Sequence, residues 1–151
     1  MTQGGTSSNG EPAGEVYDWY TRAMRLLDAG SPEAAASLLA HAHAAEPESA
    51  SVLEALARAS FDAGRYDEAA EQFARLADLA PDDDYARFGL GLARMRLGDH
   101  AGAVQHLAMA AAMRPHRREY DQALREARAT LRFRDQPGTA TDPELGDGTA
   151  Q

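Results

Sequence analysis

Along most of the chain the apolar residues recur at three- and four-residue intervals, the spacing that gathers side chains on one face of an α-helix. Trp19, Leu26 and Leu27 form one such stripe, and Leu38, Leu39 and Ala42 form the next, with Gly30 between them. Leu53, Leu56 and Phe61 lead up to Gly64, and Phe73, Leu76 and Leu79 follow it. The pattern predicts helix, turn, helix three times over, in units at 16–49, 50–83 and 84–117, and then one more helix at 118–134. On that last helix Tyr120, Leu124, Ala127 and Leu131 share a face, which would cover the apolar side that a terminal unit leaves open.

The punctuation between the stripes is itself periodic. Gly30, Gly64 and Gly98 are 34 residues apart, and Pro47, Pro81 and Pro115 repeat at the same interval. A helix that ends and reverses within a few residues needs a left-handed residue, which glycine adopts without a β-carbon clash. Proline closes each second helix because it disfavours helix in the residue before it and has no N–H to donate. Ser31, Pro32 and Glu33 are expected to start a helix as N-cap, first-turn proline and acid near the positive helix end, with Asp99 as the cap in the third unit. Asp82, Asp83 and Asp84 read as another helix start, since the central glycine and later ligands of a calcium loop are missing. Small residues, Ala23 with Ala35, Ala57 with Ala69 and Gly91 with Ala103, stand where paired helices must come close. Leu39, Phe73 and Leu107, again 34 apart, are expected to fill the space between successive units.

The small residue, glycine, alanine, large apolar residue and proline at fixed offsets resemble the tetratricopeptide repeat (TPR) family. Trp19, Ala23, Leu26, Gly30, Ala35, Leu39, Ala42 and Pro47 follow that pattern in the first unit, and Ala57, Gly64, Tyr66, Ala69, Phe73 and Pro81 in the second. Gly91, Gly98, Ala103, Leu107, Ala110 and Pro115 carry it in the third. The chain departs from it with Leu26, Ser60 and Arg94 where the family has tyrosine, with Arg87 in the place of Trp19, and with Leu76 where alanine is usual. The resemblance implies an all-α solenoid of three repeats plus a capping helix, without enzymatic activity, whose first helices line a concave groove for a protein or peptide partner. Carried over by position, the groove would present Tyr17, Tyr20 and Met24, then Glu54, Arg58 and Phe61, then Tyr85, Phe88, Leu92, Met95 and Arg96. Some family members clamp acidic C-terminal peptides with lysine, asparagine and arginine. Tyr20, Met24, Ala55, Tyr85 and Gly89 hold those positions here, so the lining is apolar and aromatic and fits a hydrophobic helix face or extended segment. Several of these positions simply pack between neighbouring first helices in many such units, and self-association through the groove or the solenoid ends is the alternative to a foreign partner.

Charge narrows the classes further. The net charge of −9 argues against nucleic-acid binding, which draws its affinity from basic side chains on phosphates. Only the last helix breaks the acidic pattern: Arg118, Arg125, Arg128 and Arg132 make a stripe with Asp121 among them. That stripe is a solvated face, a docking surface for an acidic partner, or a rest for the chain's own acidic residues Asp135, Asp142, Glu144 and Asp147, in tails at 1–15 and 135–151 expected to be disordered. Cysteine is absent, which removes disulfides and thiolate metal sites, and every basic residue is arginine, a bias that points to a GC-rich bacterial genome of actinobacterial type. His41 and His43 point to different sides of a helix, and no phosphate loop or catalytic constellation stands out, so neither metal nor cofactor nor enzymatic chemistry is expected. No window has the apolar length of a membrane span or secretory signal, and the expectation is a cytoplasmic protein that does not contact membranes.

Overall fold

The computed structural model describes residues 14–136, and these form seven helices without strands. They are α1 Glu15–Asp28, α2 Pro32–Ala45, α3 Ala50–Asp62, α4 Tyr66–Leu79, α5 Asp84–Arg96, α6 His100–Met113 and α7 Arg118–Asp135. Consecutive helices pack as antiparallel hairpins, α1 with α2, α3 with α4 and α5 with α6, stacked in chain order with α7 on the end. The expected tails, apart from residues 14, 15, 135 and 136, lie outside the described residues. No described helix is long and apolar enough to cross a membrane.

Local chemistry fixes the turns. Gly30, Gly64 and Gly98 have φ of 82°, 81° and 86°, the left-handed region. The residue after each glycine then donates its N–H back five residues: Ser31 to the Leu26 carbonyl at 2.8 Å, Arg65 to Ser60 at 2.8 Å and Asp99 to Arg94 at 2.9 Å. Carbonyls that the helix end would orphan are thereby satisfied. Helices α2, α4 and α6 each stop two residues before Pro47, Pro81 and Pro115. At the helix starts the Asp99 carboxylate accepts the Gly102 N–H at 2.9 Å, Asp83 accepts from Ala86 at 3.2 Å and Ser49 from Val52 at 3.3 Å. Ser31 departs from its expected role, because it precedes α2 but its hydroxyl makes no capping bond. Asp99 caps from a similar backbone conformation, ψ 78° against 68°, with an acceptor one atom further from the backbone.

Inside each hairpin the small residues let the backbones approach. Ala23, Ala35, Ala57, Ala69 and Ala103 are fully buried. A β-carbon on Gly91 would lie 2.6 Å from Leu107 Cγ, so this position admits nothing larger than hydrogen. Between hairpins, Leu39 packs in one cluster with Val52, Leu56 and Ala59 of α3. Phe73 sits with Ala86 and Leu90 of α5, meets Tyr85 edge-on at 5.7 Å, and has its ring where a β-carbon on Gly89 would be. Leu76 is fully buried in the same cluster. Leu107 joins Leu124 and Ala127 of α7. The last helix is further fixed by Tyr120, whose ring stacks on Phe88 at 4.6 Å and whose hydroxyl donates to Asp84 at 2.5 Å.

Two substitutions test this packing by chemical denaturation. Phe73→Ala should cost about 3 to 5 kcal/mol, since it empties the seam between the second and third hairpins. Gly91→Ala should cost about 1 to 3 kcal/mol by overpacking against Leu107. An unchanged midpoint in either would contradict the corresponding contact.

Candidate functional site: a cleft across three hairpins

The first helix of each hairpin faces the same side, and α1, α3 and α5 wall a cleft of about 460 Å³. Its lining is Tyr20 and Met24 of α1, Ser51, Glu54, Ala55 and Arg58 of α3, and Tyr85 of α5. Tyr20 with Met24, and Glu54 with Arg58, are four residues apart and therefore lie one above the other on their helices. Tyr85 enters from the first turn of α5, held by its contact with Phe73 below.

Five of the residues predicted for a groove thus come together: Tyr20, Met24, Glu54, Arg58 and Tyr85. The others are placed differently. Phe61 and Arg96 form a cluster with Tyr66, in which the Arg96 guanidinium lies 5.5 Å and 5.2 Å from the two ring centroids and donates to the Tyr66 hydroxyl at 2.7 Å. Phe88, Leu92 and Met95 pack against the core built by Leu107, Leu124 and Ala127. Tyr17 is 54% exposed and outside the cleft lining.

On α7 the four arginines Arg118, Arg125, Arg128 and Arg132 are all exposed. Arg125 pairs with Asp121 at 2.6 Å. In the 34-residue register Arg125 stands where Ala23, Ala57 and Gly91 stand in the earlier first helices, the position at which a second helix makes its closest approach.

The electrostatics of the cleft centre on Glu54. Burial first, and then the neighbouring carboxyls of Asp83 and Asp84, push it up to about 7. Asp83 also caps α5, whereas Asp84 is engaged by Arg114 at 3.4 Å and by Tyr120. Arg58, which lines the cleft, also makes a 3.8 Å ion pair with Asp62. Burial is also the main cause that raises the Tyr85 phenol above its ordinary range. Sequence reasoning placed Glu54 in the groove and Asp83 at a helix start but did not join them. The available signal was an acid on the groove face of one hairpin followed by an acidic cap at the start of the next. Among the described residues no three histidine or acidic side chains gather in a way that could hold a metal.

A carboxyl that titrates higher in the folded chain than in the unfolded one lends stability below its unfolded value and loses it as pH rises through the folded value. For Glu54 that window runs from about pH 4.5 to about 7. Glu54→Gln imitates the protonated carboxyl and removes the titration. Thermal melts should show the variant more stable than wild type at pH 8, with a flatter dependence on pH between 5 and 7. Parallel curves for the two proteins would mean that Glu54 titrates as an ordinary exposed acid.

Comparison with known proteins agrees with this architecture. The sequence matches the tetratricopeptide repeat family model twice, over residues 20–84 and 55–118. Among curated proteins none matches the chain. The fold is similar to the TPR domain of Sgt2 from Aspergillus fumigatus, with a TM-score of 0.78 at 20% identity over 97% of each chain. It is also similar to the first TPR domain of Spaghetti (RPAP3) bound to an HSP90 peptide, with a TM-score of 0.74 at 17% identity over 78% of this chain and 94% of that one. A third similar structure is the Yersinia enterocolitica type III secretion chaperone SycD in complex with a peptide of the translocator YopD, with a TM-score of 0.69 at 15% identity over 76% and 92% of the two chains. With the family model matched across all three hairpins and the glycine, alanine and proline positions in register, this chain belongs to the tetratricopeptide repeat family.

Proposed function

We propose that this chain is a non-enzymatic protein-interaction module that holds an extended segment or a helix of a partner protein in the cleft between α1, α3 and α5. The observation that carries the reading is the lining itself. Tyr20 and Met24 from the first hairpin and Tyr85 from the third are only half-buried and face one concave space large enough for several side chains. Aromatic rings supply contact area at small entropic cost, and methionine adapts its shape to what it meets. The similar structures with peptides bound support this use of the fold. Of the other residues predicted for the groove, Phe88, Leu92 and Met95 pack on the core of the last hairpin, Phe61 and Arg96 cluster with Tyr66, and Tyr17 is exposed.

The test is affinity capture of a partner from the native host's lysate by wild-type protein and by a Met24→Ala, Tyr85→Ala variant, after circular dichroism has shown both to be folded. The partner identified with wild type should bind the variant at least tenfold more weakly in a purified titration. Equal affinity would remove the cleft as the binding surface, and a mass that grows with concentration would favour self-association instead.

A further inference from the structure

Helix α7 stands where a first helix stands in the earlier hairpins, but among the described residues no second helix follows it. In the 34-residue register Arg118, Arg125 and Arg128 take the places of Val16, Ala23 and Leu26 on α1. There Val16 and Ala23 are buried in the core shared with α2, and Leu26 packs against it. The face that the first hairpin covers is therefore open on α7, and it is cationic. Arg118, Arg125, Arg128 and Arg132 are all exposed and fall within about 80° of one another around the helix axis. Asp121 pairs with Arg125, and among the described residues Arg118, Arg128 and Arg132 make no ion pair.

Charge and reach together select what lies on that face. Helix α7 ends at Asp135, and residues 137–151 carry Asp142, Glu144 and Asp147 with no basic residue among them. From Arg132 back to Arg118 the helix rises about 21 Å. Residues 137–151 span up to about 50 Å when extended, more than enough to return along it. The spacing of the acids also suits the stripe. Two residues of extended chain, from Asp142 to Glu144, cover about 6.6 Å, and four of helix, from Arg132 to Arg128, about 6 Å. Asp147, about 16.5 Å from Asp142, then comes within an arginine side chain's length of Arg118. Each exposed pair contributes little by itself. A segment joined to the helix nevertheless acts at the roughly millimolar effective concentration of a short tether, which an acidic segment of another molecule would have to exceed.

We infer that residues 142–147 of this chain lie back along the open face of α7, with the carboxylates of Asp142, Glu144 and Asp147 against Arg132, Arg128 and Arg118. The contact is electrostatic and exposed, so salt that shortens the screening length to about 4 Å releases it.

The chain contains no cysteine, so Thr149→Cys creates a single attachment point for a nitroxide spin label. In the full chain, isotope-labelled for NMR at low salt, the label should relax the Asp121 and Gln122 amides at least threefold more strongly than in the same labelled chain with Asp142→Asn, Glu144→Gln and Asp147→Asn. The difference should vanish at about 0.5 M salt. It should vanish as well in a labelled chain carrying Arg118→Gln, Arg128→Gln and Arg132→Gln, whose exposed positions leave the packing intact. Equal relaxation with and without the three acids, or a difference that survives the salt, would overturn the contact. Relaxation seen only when a spin-labelled chain is mixed with an isotope-labelled chain bearing no nitroxide would overturn it too, and would give the arginine face to a second copy.

Discussion

A single helical hairpin has an apolar flank on either side and can cover neither alone, so every other feature of this chain follows from how one hairpin seals the next. Leu39, Phe73 and Leu107 do the sealing, one per hairpin, each fully or almost fully buried against the first helix that follows. Because the three occupy the same place in the 34-residue register, each junction repeats the last, and the first helices are carried round to one side. The cleft is a product of that regularity. It forms where α1, α3 and α5 stand side by side, and Phe73 beneath Tyr85 is both the seal of a junction and the support of a cleft wall.

The same arrangement divides the groove-facing residues by task. At corresponding positions Tyr20 lines the cleft while Phe88 stacks on Tyr120, whose place in the helix after the first hairpin is taken by Val52. Tyr120 in turn reaches Asp84, so one side chain joins the cap to the start of α5. Asp83, its neighbour in sequence, instead caps α5 by accepting the Ala86 N–H. Adjacent acids thus end up with different duties, one tied to the last helix and one at a helix start.

The architecture was legible in the sequence because its determinants are local and periodic. Gly64 reports a left-handed turn, Pro81 a helix end, and Ala57 with Ala69 a close approach, each within a few residues of where its effect is felt. The cleft was legible only in part, since Tyr20, Met24 and Glu54 could be assigned a face but not a neighbour. What decides their surroundings lies a whole repeat away. Phe61 is drawn to Arg96 and Tyr66, and Phe88 to Tyr120, by contacts that no pattern within one unit records. The missing hydroxyl cap at Ser31 is a failure of another kind, a matter of one atom's reach at a given ψ.

Arg125 gives the array a terminus in the sense that a polymer chemist would recognise. Growth of such a stack proceeds by adding a hairpin whose second helix nestles against a small residue on the first, as at Ala23, Ala57 and Gly91. On α7 that berth is occupied by a guanidinium already engaged with Asp121. A duplicated 34-residue cassette spliced upstream of α7 would find compatible surfaces at both of its boundaries, whereas a helix docked on the far side of α7 would have to desolvate a charge.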